Sequence, residues 1–401
     1  MGADRVNCLN WSQDEARLYQ LAAVGLHGVD YPDGEEGIRA AFSDLRAVQL
    51  DPLPILGRNH DLVFQSRVDG THPGTFLDLV HRERLGFEYW DKMLCAIPIE
   101  EFPHFRALMD AGGERWERLR EERLDRDHPE AKGAVLEAVR ENGPLSTAEL
   151  KKLSVAQGAH RGWKTTQAAG AALEVLWNRG LLSVSHRVHY RRYFDLTERV
   201  IPQSIVSQAT PSWEEFLRHM LRKRVDMVGL LPAGGAAETW MTLRQARADG
   251  LPERMVEEGE LARVRVDGVR TPFYARPDAA KLLRASEKAA WDDRAKVIAP
   301  LDPLLWCRDA LAKVWGFSYA WEVYKKPAQR TYGYYVLPVL HRDRFVGRFD
   351  GRYDAKTKTL QVLGYWKEPG GLPLRHRVVR DAFGRFLDYL GGKRIAWPRR
   401  A

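Results

Sequence analysis

The sequence is poor in cysteine and has no apolar run long enough to cross a bilayer. Its three cysteines, Cys8, Cys95 and Cys307, lie far apart and form no Cys-x-x-Cys pair. This argues against a disulfide framework and against a cysteine-based zinc site. The first residues lack the apolar core of a secretory signal, and a membrane span needs about 20 apolar residues. We therefore expect a cytoplasmic protein without a membrane partner.

Positive charge, by contrast, is in excess. The 401 residues include 62 Lys or Arg and 54 Asp or Glu, which gives a formal net charge of +8. Hydrophobic residues make up 44% of the chain, a proportion typical of a folded protein. A length of 401 residues suggests two to four domains. The basic balance favours a polyanionic partner, although RNA and membrane-surface binders share it.

Segment 130–205 predicts a winged helix-turn-helix. An amphipathic helix over 131–141 is followed by a short helix, which Ser146 and Glu149 begin as a capping box. A longer helix over 164–179 ends at Gly180, and strands over 181–185 and 188–196 enclose a turn at 186–187. Residues 151–199 contain nine Lys or Arg against three Asp or Glu. A DNA backbone is the simplest partner for this charge, and a solvated wing without a partner is the alternative.

Similar but weaker patterns occur on both sides of this segment. Residues 1–110 and 206–296 each suggest a winged-helix-like unit, the latter with strands 261–266 and 271–276 around Asp267-Gly268. A charged linker helix is predicted over 111–129. From 297 to 401 the pattern becomes β-rich, with strands over 332–340, 345–353 and 359–366 and a helix over 374–390. The predicted fold is α+β: tandem winged helices and a C-terminal β-barrel or sheet with a terminal helix.

Gln49 and Asp51 stand where a predicted helix over 36–47 gives way to a segment stiffened by Pro52 and Pro54. Side chains two residues apart point the same way on extended backbone. An amide and a carboxylate in that arrangement can hold one water molecule. The spacing alone fits a surface or capping role equally well.

Several separate motifs resemble those of the AlkZ/YcaQ-like DNA glycosylases, which are bacterial winged-helix enzymes that excise alkylated guanines and unhook DNA crosslinks. The similar segments occur in the family's order and span most of the chain: 49–67, 88–90, 193–202, 299–306, 332–338 and 346–350. The family divides into members with Gln-x-Gln and members with Gln-x-Asp at the catalytic tripeptide. Gln49 and Asp51 resemble the second, YcaQ-like branch.

The resemblance implies a C-shaped, basic DNA channel and a glycosylase that hydrolyses the N-glycosidic bond of N7-alkylated guanine, including bulky adducts and interstrand crosslinks. It implies that Gln49 positions a water and that Asp51 stabilises the sugar cation and orients or deprotonates that water. No cofactor is required, and the absence of a lysine beside Gln49 favours a monofunctional enzyme. Double-stranded DNA is the expected partner of a monomeric, nucleoid-associated protein. General repair and self-resistance to a DNA-alkylating antibiotic both remain open.

Basic and polar residues near these motifs are the candidate DNA contacts. They are Arg58, Asn59, His60, Lys164, Arg187, Arg191, Arg192, Arg352, Lys356 and Lys358. Either the turn 354–358 or the turn 265–270 is a candidate to enter the minor groove. The aromatic residues Trp306, Trp315, Trp321 and Tyr324 are interpreted as core rather than as a platform for base stacking.

A winged-helix transcription regulator without catalytic activity is the main alternative. It explains the basic module at 130–205 but not an acidic Asp51 close to DNA, because a carboxylate repels phosphate. Such regulators are commonly dimers on two-fold sites, and the sequence has no heptad pattern for a dimer helix.

Overall fold

A computed structural model describes residues 8–156 and 166–398, so Lys164 lies outside the described residues. Helices and strands are mixed throughout, which confirms the predicted α+β class. The chain divides into two compact units, one formed by Met1–Phe76 with Met220–Ala401 and the other by Leu77–His219. The finer five-domain division stays a prediction. Across the described ranges, no helix is both long and apolar enough to span a membrane.

The N-terminal part of the first unit is mainly helical. Ser12 and Glu15 form a capping box at the start of the first helix, which ends before Gly25 because that residue adopts a positive φ of 69°. Arg46, with φ 58°, ends the second helix and directs the chain into a short strand. The helices are Gln13–Ala23, Gly34–Leu45 and Asn59–Gln65, and the strands are Cys8–Trp11 and Val48–Gln49. Helix Thr75–Arg82 begins in the first unit and continues into the second.

A four-stranded sheet follows in the same unit, in the order Cys8–Trp11, Ala262–Val266, Val269–Ala275 and Leu231–Pro232. The predicted hairpin with its turn at Asp267-Gly268 is confirmed. Helix Arg244–Ala248 ends before Gly250, which has φ 75°, and a new helix begins at Leu251 with Pro252 in its first turn. The accompanying helices are Trp213–Val228, Ala237–Trp240, Arg244–Ala248, Leu251–Glu257 and Ala279–Lys288.

The C-terminal region contains a five-stranded sheet, in the order Lys296–Val297, Val336–His341, Arg344–Asp354, Thr359–Lys367 and Arg394–Ala396. Helix Arg377–Tyr389 covers it, and the rings of Phe383 and Phe386 lie 4.6 and 6.0 Å from that of Phe349. The predicted strand over 332–340 begins only at Val336. Further helical segments are Pro303–Leu305, Arg308–Trp315, Glu322–Tyr324 and Pro327–Gln329.

The second unit contains the segment predicted as a winged helix. Its helices Ala131–Asn142, Thr147–Ala156 and Thr166–Asn178 precede a hairpin of Leu182–Val188 and Arg191–Leu196. An isolated bridge between Leu145 and Phe194 adds a third strand position to the hairpin. The observed element order is the predicted one. The turn is three residues later than predicted, at His189-Tyr190, where both residues have positive φ.

The remaining elements of the second unit surround this segment. A hairpin of Gly86–Trp90 and Leu94–Pro98 precedes helices Ile99–Glu101, Phe102–Asp110 and Arg115–Asp127. The last of these is the predicted charged linker helix. Two short helices, Thr197–Val200 and Gln203–Val206, follow the winged-helix hairpin.

A buried ion pair joins distant parts of the first unit. Both terminal nitrogens of Arg67 donate to Asp302, at 2.7 and 3.0 Å, and its Nε donates to the carbonyl of Val24 at 2.8 Å. Neither charged side chain of the pair is accessible to solvent. Asp302 also accepts the N–H of Leu304 at 3.0 Å. The pair therefore fixes the end of helix Asn59–Gln65 against the chain that follows residue 299.

We expect Asp302→Ala to lower the free energy of unfolding by about 3–5 kcal/mol, because it leaves the Arg67 guanidinium buried without its counter-ion. Equilibrium urea unfolding at neutral pH measures the loss. Asp69→Ala is the matched control, since Asp69 pairs with Arg294 at 2.5 Å while both side chains are about half exposed. The control should lose at most about 1 kcal/mol. Equal losses would contradict the structural role of the Arg67 pair.

Candidate active site

Gln49 and Asp51 lie at the end of the short strand Val48–Gln49, in the first unit. Their exposed fractions are 9% and 8%, so both polar side chains are nearly buried. Pro52 and Pro54 follow at once and prevent a regular element from forming. The surface role that spacing alone allows does not fit this burial.

The carboxylate of Asp51 lies in a poorly solvated environment. Burial raises its pKa, and a 2.9 Å hydrogen bond from the N–H of Leu53 to Oδ1 offsets only part of that rise. A carboxylate with a raised pKa is a stronger base than an exposed aspartate. Asp51 therefore has the electrostatic property that a general base needs.

The main chain of Gln49 is fixed by a hydrogen bond, while its side-chain oxygen can still accept one. Its carbonyl accepts a hydrogen bond from Nδ2 of Asn59 at 2.8 Å. Its side-chain Oε1 is buried and finds no hydrogen-bond partner among the described residues. A buried acceptor without a partner costs stability, and such groups are concentrated at functional sites.

Asn59 and His60 are structural residues at the start of helix Asn59–Gln65. Both are fully buried. Asn59 links Gln49 to the N–H of Leu301, which its Oδ1 accepts at 2.9 Å. The His60 ring lies 6.1 Å from that of Phe76. The DNA contacts predicted for these two side chains are wrong, since neither reaches the surface. Arg58, which precedes them, is half-buried.

Two tyrosines lie within electrostatic range of Asp51. Burial raises the pKa of the Tyr335 phenol, and the negative charge of Asp51 raises it further. Partial desolvation of its phenol and then the charge of Asp51 raise the pKa of Tyr324 as well. Tyr335 is fully buried and donates to the carbonyl of Gly57 at 3.1 Å, which anchors the segment that follows Asp51. Tyr324 is 83% exposed. The predicted core position is therefore confirmed for Trp306 and Trp321, which are 5% and 8% exposed, but wrong for Tyr324.

The chain that leads to Tyr335 is held by two buried acids that the sequence interpretation missed. Glu322 accepts the N–H groups of Thr331 and Tyr332, and Asp350 accepts those of Tyr334 and Tyr335 at 3.2 and 3.0 Å. These bonds occupy the donors that a strand would use, which explains why the strand begins only at Val336. A Cβ at Gly333 would lie 2.2 Å from Asp350 Oδ2. The sequence offered one signal for Asp350, because this acid ends the segment 346–350, which resembles a motif of the family.

The basic residues of the hairpin Leu182–Val188 and Arg191–Leu196 differ in accessibility. Arg187, predicted as a DNA contact, has a side chain only 6% exposed and donates twice to Glu88 at 2.6 Å. Burial would raise the pKa of Glu88, but the charge of Arg187 and the hydrogen bond from His81 lower it well below its usual range. That prediction is wrong because Arg187 serves an internal ion pair. Arg192 pairs with Glu174, and Arg191 is exposed.

The C-terminal hairpin presents Arg352, Lys356 and Lys358, all exposed. Asp354 Oδ1 accepts the N–H groups of Lys356 and Thr357 at 2.9 and 3.3 Å, which fixes the turn. The N–H of Tyr353 donates to the carbonyl of Ile55 at 3.3 Å. The turn end of this basic hairpin thus contacts the segment that leaves Asp51.

No group of three or more His, Cys, Asp or Glu side chains that could share a metal ion occurs in the described part of the chain.

Comparison with known proteins identifies a match over most of the chain. A family model described as DNA glycosylase AlkZ-like matches residues 42–389. Among solved structures, the Streptomyces sahachiroi DNA glycosylase AlkZ is similar, with a TM-score of 0.64 and 16% sequence identity. The match covers 97% of this chain and 99% of that one. At this identity the structural likeness shows a shared fold.

Proposed function

Since the chain belongs to the AlkZ-like DNA glycosylase family, we propose that it hydrolyses the N-glycosidic bond of N7-alkylated guanine in double-stranded DNA, with Gln49 and Asp51 as the catalytic residues. The observation that carries the proposal is a nearly buried carboxylate of raised pKa, two residues from a buried amide oxygen without a hydrogen-bond partner among the described residues. Family membership favours this enzyme over a transcription regulator.

The substrate supplies part of the reactivity. Alkylation at N7 gives guanine a positive charge, so the bond between C1′ and N9 breaks with its electron pair moving to N9, and a neutral base leaves. The sugar is left as an oxocarbenium-like cation. A water oxygen then bonds to C1′ and its proton must be removed. The products are the free alkylated base and an abasic site.

Asp51 meets both demands of this step. Its negative charge stabilises the developing sugar cation in a poorly solvated environment, where such an interaction is stronger than in water. The same carboxylate accepts the proton of the attacking water. Gln49 Oε1 accepts a hydrogen bond from that water and orients it toward C1′. The fixed main chain of Gln49, bonded to Asn59, supports this positioning.

Bulky adducts and interstrand crosslinks are the broader substrates that we propose, in keeping with the Gln-x-Asp motif. No lysine stands between Ala47 and Arg58, which supports a monofunctional, water-dependent reaction rather than an amine-linked one. Monomeric action on DNA completes the proposal.

Asp51→Asn should reduce base release by roughly 10²–10⁴-fold, because the amide neither accepts the proton nor carries the negative charge. Single-turnover release of N7-methylguanine from a duplex measures the effect. Binding to the same duplex should persist. The folded protein should be no less stable at neutral pH, because burying the ionised carboxylate disfavours folding. Undiminished release by a folded variant would contradict the catalytic role of Asp51.

The pH dependence follows from the raised pKa of Asp51. The carboxylate is the active form, so base release is present above that pKa and declines as the pH falls through it. Because burial raises the pKa, the decline should begin above the usual aspartate value of about 3.9. Single-turnover rates between about pH 4 and 8 give the profile. The acid limb should vanish in Asp51→Asn, and a limb that persists there would belong to another group.

We further propose that the C-terminal hairpin, with Arg352, Lys356 and Lys358, contacts DNA beside the site. The bond between Tyr353 and Ile55 supports this choice, because it joins the hairpin to the segment that follows Asp51. The hairpin with exposed Arg265 and Arg270 carries similar charge, and its turn bonds instead to the strand Cys8–Trp11 through Asp267 and Trp11. Arg191 is the wing residue best exposed for a further phosphate contact.

Replacing Arg352 and Lys356 together by glutamine should weaken DNA binding and reduce the slope of log K against log salt by roughly 2, since each lost phosphate contact removes about 0.9. The same double change at Arg265 and Arg270 is the matched control, because it removes equal charge from another hairpin of the same unit. Titrations at several salt concentrations measure both slopes. A larger change in the control would assign the DNA contact to the other hairpin.

A further inference from the structure

Tyr324 is the most exposed large hydrophobic side chain of the described residues, at 83%. The next in rank, Leu363, is 53% exposed. A tyrosine ring buries a large apolar area when it joins a core, so leaving it in solvent forgoes that stabilisation. The exposed ring is available to a ligand, and its surroundings decide which ligand it suits.

The backbone beneath the ring is fixed. Tyr324 closes the short helix Glu322–Tyr324, whose other two members are buried. The carboxylate of Glu322 accepts main-chain N–H groups of Thr331 and Tyr332, both at 2.9 Å, which locks this helix to the following loop. The ring of buried Trp321 contacts the Tyr324 ring edge-on at 6.0 Å. The exposed ring therefore projects from a rigid base.

The surroundings of the ring suit a cationic planar ligand. Trp321 connects the Tyr324 ring to Tyr335, which bonds to the segment that follows Asp51, and the charge of Asp51 acts on both phenols. The ring of Trp321 lies 5.8 Å from that of Tyr335, which is anchored to Gly57. Exposed Lys326 stands two residues away, where a phosphate would be attracted.

We propose that Tyr324 is a specificity-determining residue whose ring stacks on the positively charged N7-alkylguanine while Asp51 faces the sugar. The inference rests on the proposed function and names how the same site distinguishes a damaged base. The electron-rich face of tyrosine attracts a cation, and stacking of a base on an aromatic ring adds to that attraction. Normal guanine gains only the stacking. The neutral base formed by cleavage loses the cation–π contribution, which aids its release.

Discrimination in binding tests this inference separately from catalysis. The probes are one duplex containing 2′-fluorinated N7-methylguanine, which resists cleavage, and the same duplex containing guanine. The measured ratio is the dissociation constant of the guanine duplex divided by that of the N7-methylguanine duplex. Tyr324→Phe keeps the ring and should retain the ratio. Tyr324→Leu keeps an apolar side chain without a π face and should lower the ratio roughly 3- to 30-fold.

Trp291→Leu provides the matched control, because Trp291 is a partly exposed aromatic residue of the same unit whose ring contacts His27 at 4.2 Å. It should leave the ratio unchanged. Thermal melting of each variant verifies that it is folded. Because Tyr324 is exposed, its replacement should leave the fold intact.

Three outcomes would overturn the proposal. If wild type releases N7-methylguanine and Tyr324→Leu retains the full ratio, the stacking role fails while the proposed function stands. Equal losses in the phenylalanine and leucine variants would assign the effect to the hydroxyl rather than to the ring. If wild type neither releases the base nor distinguishes the duplexes, the proposed function fails and this inference fails with it.

Discussion

The candidate site depends on one helix, Asn59–Gln65, being fixed at both ends to the chain around residue 301. Asn59 uses its amide to join Gln49 to Leu301, and Arg67, just beyond the helix, is bound by both oxygens of Asp302. Each contact is buried, so each would be costly to leave incomplete. This is how a two-residue strand, which has little stability of its own, can hold Gln49 and Asp51 in place.

The rigidity of that frame explains how the site tolerates unfavourable groups. The carboxylate of Asp51 is nearly buried, and the amide oxygen of Gln49 has no partner among the described residues. Both features disfavour folding, and the surrounding hydrogen bonds offset them. The same groups are then ready for water and substrate without rearrangement, which is the property that makes electrostatic catalysis efficient. Stability is thus given up at the positions where chemistry is proposed.

Sequence patterns predicted the secondary structure well where the signal was local. The Asp267-Gly268 turn and the helix–helix–helix–hairpin order over 130–205 both follow from neighbouring residues. The accessibility of side chains did not follow, because it depends on partners far along the chain. Arg187 was predicted to contact DNA, but its side chain forms an ion pair with Glu88. Asn59 was also predicted to contact DNA, but its side chain accepts the N–H of Leu301. The prediction for Tyr324 was wrong in the opposite direction: it was expected in the core, as its aromatic neighbours are, but its side chain is exposed.

The long separation between the partners in the first unit has a consequence for synthesis of the protein. Asp302 follows Arg67 by 235 residues, and Leu301 follows Asn59 by 242. At a translation rate of about 5–20 residues per second, roughly 10–50 s pass between the emergence of one partner and the other. Throughout that interval the chain around Gln49 and Asp51 lacks these contacts with Leu301 and Asp302. The surroundings of the proposed site are therefore completed only after the C-terminal region has been made.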